Sequence, residues 1–146
     1  MAMLKKRPTR FGFRRGATLL ETGIVMLMLS YLAFGMVEFG YYFYVKNAME
    51  GAAREGARAG IVPGNDNTFV TTASQNAMMG FNTANYSVSV TDTSGNAINA
   101  GSVTTGTQIV VTVSATWSTI GAGFRPMNLL GGTKTVKGIC VMRKEG

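Results

Sequence analysis

The sequence contains no histidine and a single cysteine in 146 residues. Without histidine the chain has no imidazole acid–base catalyst and no Cys–His dyad, and the common zinc ligand sets are incomplete. One cysteine also cannot form a disulfide within the chain. Charged residues make up only 14%, against roughly 25% in an average soluble domain. The few carboxylates form no cluster typical of catalysis or metal binding, so we expect no enzyme, no cofactor or metal, and no small-molecule substrate.

The net charge of +7 is concentrated at the N-terminus. Six of the 14 basic residues lie in the first 16 positions, and no acidic residue lies among them. The other eight basic residues are balanced by all seven acidic residues. A nucleic-acid-binding domain spreads its basic residues over one face. We therefore expect no nucleic-acid partner, and we interpret residues 1–16 as a basic leader.

A long apolar stretch follows the leader. Residues 22–37 carry no charge, and beyond Glu38 the stretch continues to Val45. A helix from Ala17 to Val45 would be about 43 Å long at about 1.5 Å per residue, whereas a bilayer core requires roughly 20 residues. Because the basic residues precede the stretch, we predict a single-pass membrane helix with a cytoplasmic N-terminus and the C-terminal domain outside.

Two glutamates interrupt this stretch. We interpret Glu38 as an interfacial carboxylate that reaches solvent, rather than as a buried functional charge, because an aromatic belt typical of a membrane interface follows it. The belt consists of Phe39, Tyr41, Tyr42, Phe43 and Tyr44. Glu21 lies five residues after Gly16. If the bond between Gly16 and Ala17 is cut, Ala17 gains a free amine about one helical turn from Glu21. In an assembled bundle Glu21 could pair with the Ala17 amine of a neighbouring chain, which makes both buried charges tolerable.

These residues resemble the TadE-like family, which comprises minor pilins or pseudopilins of tight-adherence (Tad) pili. The run RRGATLLE at 14–21 resembles a prepilin peptidase site with cleavage after Gly16. Residues 16–60 share the apolar run, Val-Glu-Phe-Gly and the block AAREGARA with that family, and the final TVKGICVMRKEG resembles its last strand. Thr22 departs from the pattern, since many pilus subunits have an aromatic residue there.

The resemblance implies a structural subunit rather than an enzyme. Such a subunit is processed by a prepilin peptidase, resides in the inner membrane, and assembles with other pilus subunits in pilus assembly, adhesion or secretion. It also implies incorporation into a surface pilus. The matching residues cover about a third of the chain.

The remaining sequence predicts a small α+β domain. Alanine-rich residues 46–60 extend the first helix, and a second helix is expected from about Thr68 to Met79, capped by Asn67 or Thr68. A change to period two then predicts strands, at about residues 86–91, 109–117 and 133–143. We therefore expect a long N-terminal transmembrane helix that continues into a pilin-like domain with a short second helix and a three- to four-stranded antiparallel sheet.

The predicted organisation has three parts: a leader at 1–16, the membrane helix and its extension at 17–60, and an extracytoplasmic domain at 61–146. Small residues recur at every fourth position of the extension, and they would let another backbone approach closely. That backbone is the chain's own sheet or a partner, and both contacts can occur on different edges of the stripe. The stripe consists of Ala48, Ala52, Gly56 and Gly60.

An apolar loop at residues 121–132 contains Phe124, Met127, Leu129 and Leu130. It either folds back over the core or forms an exposed patch that meets a neighbouring subunit.

Two other functions fit the same residues. An uncleaved single-span anchor would keep residues 1–16 and bind an envelope partner through its outer domain. A secreted domain released by signal peptidase would begin near Met36, because Ala33-Phe34-Gly35 offers small residues at a cleavage-like spacing.

Overall fold

One 49-residue helix organises the fold. In the computed structural model, which describes residues 13–121 and 126–146, α1 runs without a break from Phe13 to Ile61. Its length is about 73 Å at 1.5 Å per residue. It ends one residue beyond the predicted end, and Pro63 follows, which cannot continue a helix. The basic residues at positions 5–10 and Phe124 lie outside the described residues.

The two halves of α1 have different surroundings. Every residue from Gly16 to Phe34 is exposed. The C-terminal half contributes a row of fully buried side chains to the core of the domain. That row consists of Val45, Met49, Ala52, Ala53 and Ala57.

The second helix, α2, spans Asn67–Ala77. Its N-cap is Asp66, whose Oδ1 accepts hydrogen bonds from the backbone N–H groups of Thr68 at 2.9 Å and Phe69 at 3.4 Å. The expectation that Asn67 or Thr68 caps this helix is therefore wrong. The Asn67 side chain serves the tertiary structure instead, because it bonds to the backbone of residues 98 and 100.

Three antiparallel strands form one sheet, in their chain order: β1 (Ser87–Thr91), β2 (Gln108–Thr116) and β3 (Thr135–Arg143). The register pairs Val111 of the central strand with Val90 on one side and Cys140 on the other. Along β2 every second side chain is buried, because successive side chains in a strand point to opposite faces. The structure confirms the predicted α+β fold, with three strands in the described part of the chain.

The central strand ends one residue earlier than the alternation predicts. Trp117 begins a short helix, α3 (Trp117–Ile120), and its side chain is fully buried. Its backbone N–H donates a hydrogen bond to the carbonyl oxygen of Lys134 at 2.7 Å. The pattern therefore predicts the correct face for Trp117 and places the end of the strand one residue too late.

The sheet meets α1 at a glycine. A Cβ at Gly138 of β3 would clash with the carbonyl group of Met49 and the backbone nitrogen of Glu50. Only glycine allows two backbones to approach so closely. This contact orients the sheet against the C-terminal half of α1, whereas residues 16–34 of the N-terminal half stay exposed.

Candidate functional site

The bond between Gly16 and Ala17 lies inside α1 and is accessible. Both residues are exposed, and no heavy atom lies within 4 Å of the position that a Cβ would occupy at Gly16. Glycine destabilises a helix interior by about 1 kcal/mol relative to alanine. Local unwinding of the helix is therefore less costly at Gly16 than at its neighbours.

Glu21 is exposed on the surface of α1. It lies four residues after Ala17, so the helix places the two residues one turn apart on the same face. Within the described ranges, no lysine or arginine forms an ion pair with Glu21. The helix thus places Glu21 and Ala17 together on one exposed face.

Two hydroxyl side chains in this half of α1 form hydrogen bonds with backbone carbonyl groups of the same helix. The Thr22 hydroxyl donates to the carbonyl oxygen of Thr18, and the Ser30 hydroxyl donates to that of Met26, both at 2.8 Å. Such bonds allow hydroxyl groups to lie in an apolar medium. Glu21 has no comparable bond to its own helix among the contacts described, so its charge needs a partner from elsewhere when α1 is covered.

The surface around these residues is apolar. The helix has a window of mean hydropathy 1.7, of which 6% is buried inside the structure. A core helix of a soluble protein would be mostly buried, so this exposure favours membrane anchoring. The exposed large side chains before Gly35 are Leu19, Leu20, Ile24, Val25, Met26, Leu27, Met28, Leu29, Tyr31, Leu32 and Phe34.

Glu38 does not reach solvent, and the interpretation of this residue as an interfacial carboxylate is wrong. Its side chain is 0% exposed. Oε1 accepts a hydrogen bond from the backbone N–H of Leu130 at 3.3 Å, and Oε2 has no hydrogen-bond partner in the described part of the chain. Sequence spacing could have indicated this burial, because Glu38 shares a helix face with Val45 and Met49, at intervals of seven and four residues.

The predicted aromatic belt divides into two groups. Tyr41 and Tyr42 are half-buried, and their rings lie 5.8 and 5.4 Å from that of Trp117, centroid to centroid. These two tyrosines therefore connect α1 to the domain. The exposed members of the belt are Phe39, Phe43 and Tyr44.

The stripe of small residues packs within its own chain. Ala52, Gly56 and Gly60 are buried, and Ala48 is half-buried. A Cβ at Gly56 would clash with the Ser74 hydroxyl, so the stripe allows α2 and the sheet to approach α1 closely. The structure places this stripe against the chain's own core, and contact of its other edge with a partner stays a prediction.

The described residues include no group of three or more side chains that could hold a metal ion. They provide instead an exposed peptide bond between Gly16 and Ala17, a carboxylate one turn beyond it, and an exposed apolar helix surface. Nothing in this arrangement positions a nucleophile against a general base.

Comparison with known families agrees with this arrangement. The family model described as TadE-like protein matches residues 16–58, which confirms the resemblance seen in the sequence. The match begins at Gly16 and ends in the last turn of α1, so it covers neither α2 nor the sheet. The matched residues are thus similar to a family of structural, Tad pilus-associated proteins, and this similarity suggests an association with the pilus and the membrane. No curated protein and no solved structure matches the chain significantly.

Proposed function

We propose that this protein is a minor pilin or pseudopilin of a Tad-type pilus, processed by a prepilin peptidase and assembled with other pilus subunits. The observation that carries the proposal is the division of α1 into an exposed apolar half and a half that holds a folded domain. Such a subunit can reside in the membrane and later exchange lipid for neighbouring helices without refolding. The family match over residues 16–58 supports the same function.

The exposed apolar side chains of α1 require another molecule that removes them from water. Each large apolar side chain between Leu19 and Phe34 would gain about 1.5–3 kcal/mol on leaving water. Lipid provides one cover, and the α1 helices of other subunits provide another. An uninterrupted helix fits both, because its backbone hydrogen bonds are satisfied internally in either medium.

The charge distribution supports one orientation in the inner membrane. Six basic residues precede α1's apolar half, and basic residues are retained on the cytoplasmic side. In this orientation residues 1–16 are cytoplasmic, and residues 61–146 form the domain on the outer side. The bond between Gly16 and Ala17 then lies at the cytoplasmic membrane surface, where a membrane-embedded prepilin peptidase could reach it.

Cleavage after Gly16 would give Glu21 a function. The new Ala17 amine and the Glu21 carboxylate are each costly in an apolar medium, but together they neutralise one another. Because α1 is rigid, a pair between Ala17 of one subunit and Glu21 of its neighbour fixes the axial position of the two helices. A slip of one helical turn, about 5.4 Å, would break the pair.

Removal of Glu21 tests this registry. We expect Glu21→Ala to abolish or strongly reduce pili, while the protein still inserts into the membrane. Glu55→Ala is the matched control, because Glu55 is an exposed carboxylate on the same helix, within the domain. Pili are counted by electron microscopy, and insertion is measured by membrane fractionation. Normal pili from the Glu21 variant would contradict the registry.

A further inference from the structure

The turn at residues 128–131 has leucines at both of its corners. The Asn128 carbonyl oxygen accepts a hydrogen bond from the Gly131 N–H at 3.3 Å, which closes the turn. Its corner residues are Leu129 and Leu130, whereas Gly, Pro, Asn, Asp and Ser dominate such positions in water-exposed turns. Leu130 packs against the core, and Leu129 is 53% exposed. Leu129 and the exposed Pro126 give this segment an apolar outer surface.

This turn lies against the membrane half of α1. The Cδ1 atom of Leu129 is 3.6 Å from the position that a Cβ would have at Gly35. Pro126 and Met127 extend the contact toward the N-terminus of α1 and form an apolar groove with it. The α1 side of the groove consists of Met26, Leu27, Ser30, Tyr31 and Phe34.

The length of α1 relates this turn to the bilayer. Counted from Gly16, a hydrocarbon core of about 30 Å ends after about 20 helical residues, close to Gly35. Leu129 therefore lies at the outer boundary of the hydrocarbon core. Pro126 and Met127, which lie beside Met26–Phe34, are at the level of the outer leaflet.

Glu38 makes the turn compatible with such a position. Irregular backbone is poorly tolerated near lipid because each unpaired N–H or carbonyl group costs several kcal/mol. Here Glu38 accepts the N–H of Leu130, and the Asn128 carbonyl oxygen accepts that of Gly131. The carboxylate is itself shielded from solvent. Glu38 thus ties the turn to α1 through Oε1 alone, while its Oε2 has no hydrogen-bond partner among the described residues.

We propose that residues 126–132 form a second, shallow membrane contact that inserts Leu129 and Met127 into the outer leaflet beside α1, with Glu38 as its positioning residue. The partner is a lipid surface, because the turn continues the apolar surface by which α1 itself contacts lipid. A single helix leaves a domain free to rotate about the helix axis, and a second contact removes that freedom. The domain then presents a fixed face to other subunits. This inference rests on the membrane insertion of α1.

Depth-dependent fluorescence quenching tests the contact. The full chain carries Cys140→Ala and one new cysteine labelled with an environment-sensitive dye, in nanodiscs of phosphatidylcholine and phosphatidylglycerol. The test site is Leu129→Cys, and Leu27→Cys reports insertion of α1. Phe69→Cys is the matched aqueous control, because the Phe69 side chain is 56% exposed. The next residue, Val70, packs on Gly60, and Gly60 lies about 37 Å along α1 from Gly35. Residue 69 is therefore distant from the turn.

We expect brominated lipids to reduce the emission at residue 129 nearly as much as at residue 27, and to leave residue 69 unchanged. Aqueous iodide should quench residue 69 alone. If residue 27 responds to lipid while residue 129 responds only to iodide, α1 is inserted and the second contact is overturned. If neither residue responds to lipid, membrane insertion fails as well. If residue 129 is shielded from both quenchers in proportion to protein concentration, a second copy covers the turn and the lipid contact is overturned.

A pair of variants at position 38 tests the positioning role. In the labelled Leu129→Cys protein, Glu38→Leu removes the acceptor for the Leu130 N–H, and lipid quenching at residue 129 should fall toward the level of residue 69. Glu38→Gln keeps an acceptor oxygen, so quenching should be retained. A general loss of folding would also shift the emission of the buried Trp117. Unchanged quenching in Glu38→Leu would overturn the role of Glu38.

Discussion

Lys144 closes the C-terminal end of α1 by donating a hydrogen bond from its Nζ to the carbonyl oxygen of Gly60, at 3.0 Å. The same ammonium donates to the carbonyl oxygen of Val62 at 2.9 Å. Carbonyl groups at a helix end have no partner in the helix and carry the negative end of its dipole. Lys144, which lies 84 residues after Gly60 in the chain, therefore stabilises the end of the helix that organises the fold.

Removal of this ammonium should destabilise the domain. Lys144 is 94% buried, since only 6% of it is exposed, and hydrogen bonds to a charged group contribute about 1.5–3 kcal/mol. We expect Lys144→Met to lower the free energy of unfolding by an amount in this range, measured by denaturant titration in detergent. Lys134→Met, at an exposed lysine, should have little effect. Equal midpoints for the two variants would contradict the role of Lys144.

The contact between β3 and α1 makes a second prediction. A methyl group at Gly138 has no space, because the backbone of Met49 and Glu50 occupies it. We expect Gly138→Ala to lower the unfolding free energy by about 1–3 kcal/mol, the usual cost of overpacking. Gly51→Ala is the control, since nothing lies within 4 Å of a Cβ at Gly51. In a helix that change should stabilise by about 0.5–1 kcal/mol, so the two alanine variants should move in opposite directions.

The ion pair between Lys46 and Glu50 predicts a pH dependence. The Lys46 ammonium lies 2.9 Å from the Glu50 carboxylate, and its hydrogen bond and positive charge lower the pKa of Glu50 below the usual value. A lowered pKa means that the stabilisation is present above the unfolded-state pKa and disappears as the pH falls through the folded-state pKa.

We therefore expect Glu50→Gln to lower the unfolding midpoint at neutral pH and to have no effect in acid. Glu55→Gln, at an exposed carboxylate of the same helix, is measured in parallel. A destabilisation by Glu50→Gln that persists unchanged in acid would show that the ion pair is not its cause.

The sequence predicts the elements of this fold well because each has a strong local pattern. Alternation along β2 follows from one buried face, and it places Val111 and Trp117 on that face. The continuous apolar run followed by alanine-rich sequence predicts α1. These patterns depend on neighbours within a few residues, so they can be read without the tertiary structure.

The sequence-based predictions are wrong where contacts with residues distant in the chain determine the local structure. The Asn67 side chain forms hydrogen bonds with the backbone of Ile98 and Ala100, so Asp66 caps α2. Glu38 is buried by a turn that lies about 90 residues later in the chain, and local spacing alone does not say what covers it. The pairing of Glu21 with a neighbouring Ala17 depends on a second chain, so it stays a prediction.

The N-terminus of the mature protein distinguishes the pilin from an uncleaved anchor and from a secreted domain. We would measure the intact mass and the N-terminal sequence of the protein from its native membrane, together with two matched glycine variants in α1. We predict a mature chain that begins at Ala17, a precursor that accumulates in Gly16→Leu, and normal processing in Gly23→Leu, where the glycine is equally exposed. A chain that begins at Met1 would indicate an uncleaved anchor, and one that begins near Met36 a secreted domain. Either result would contradict the proposed pilin function.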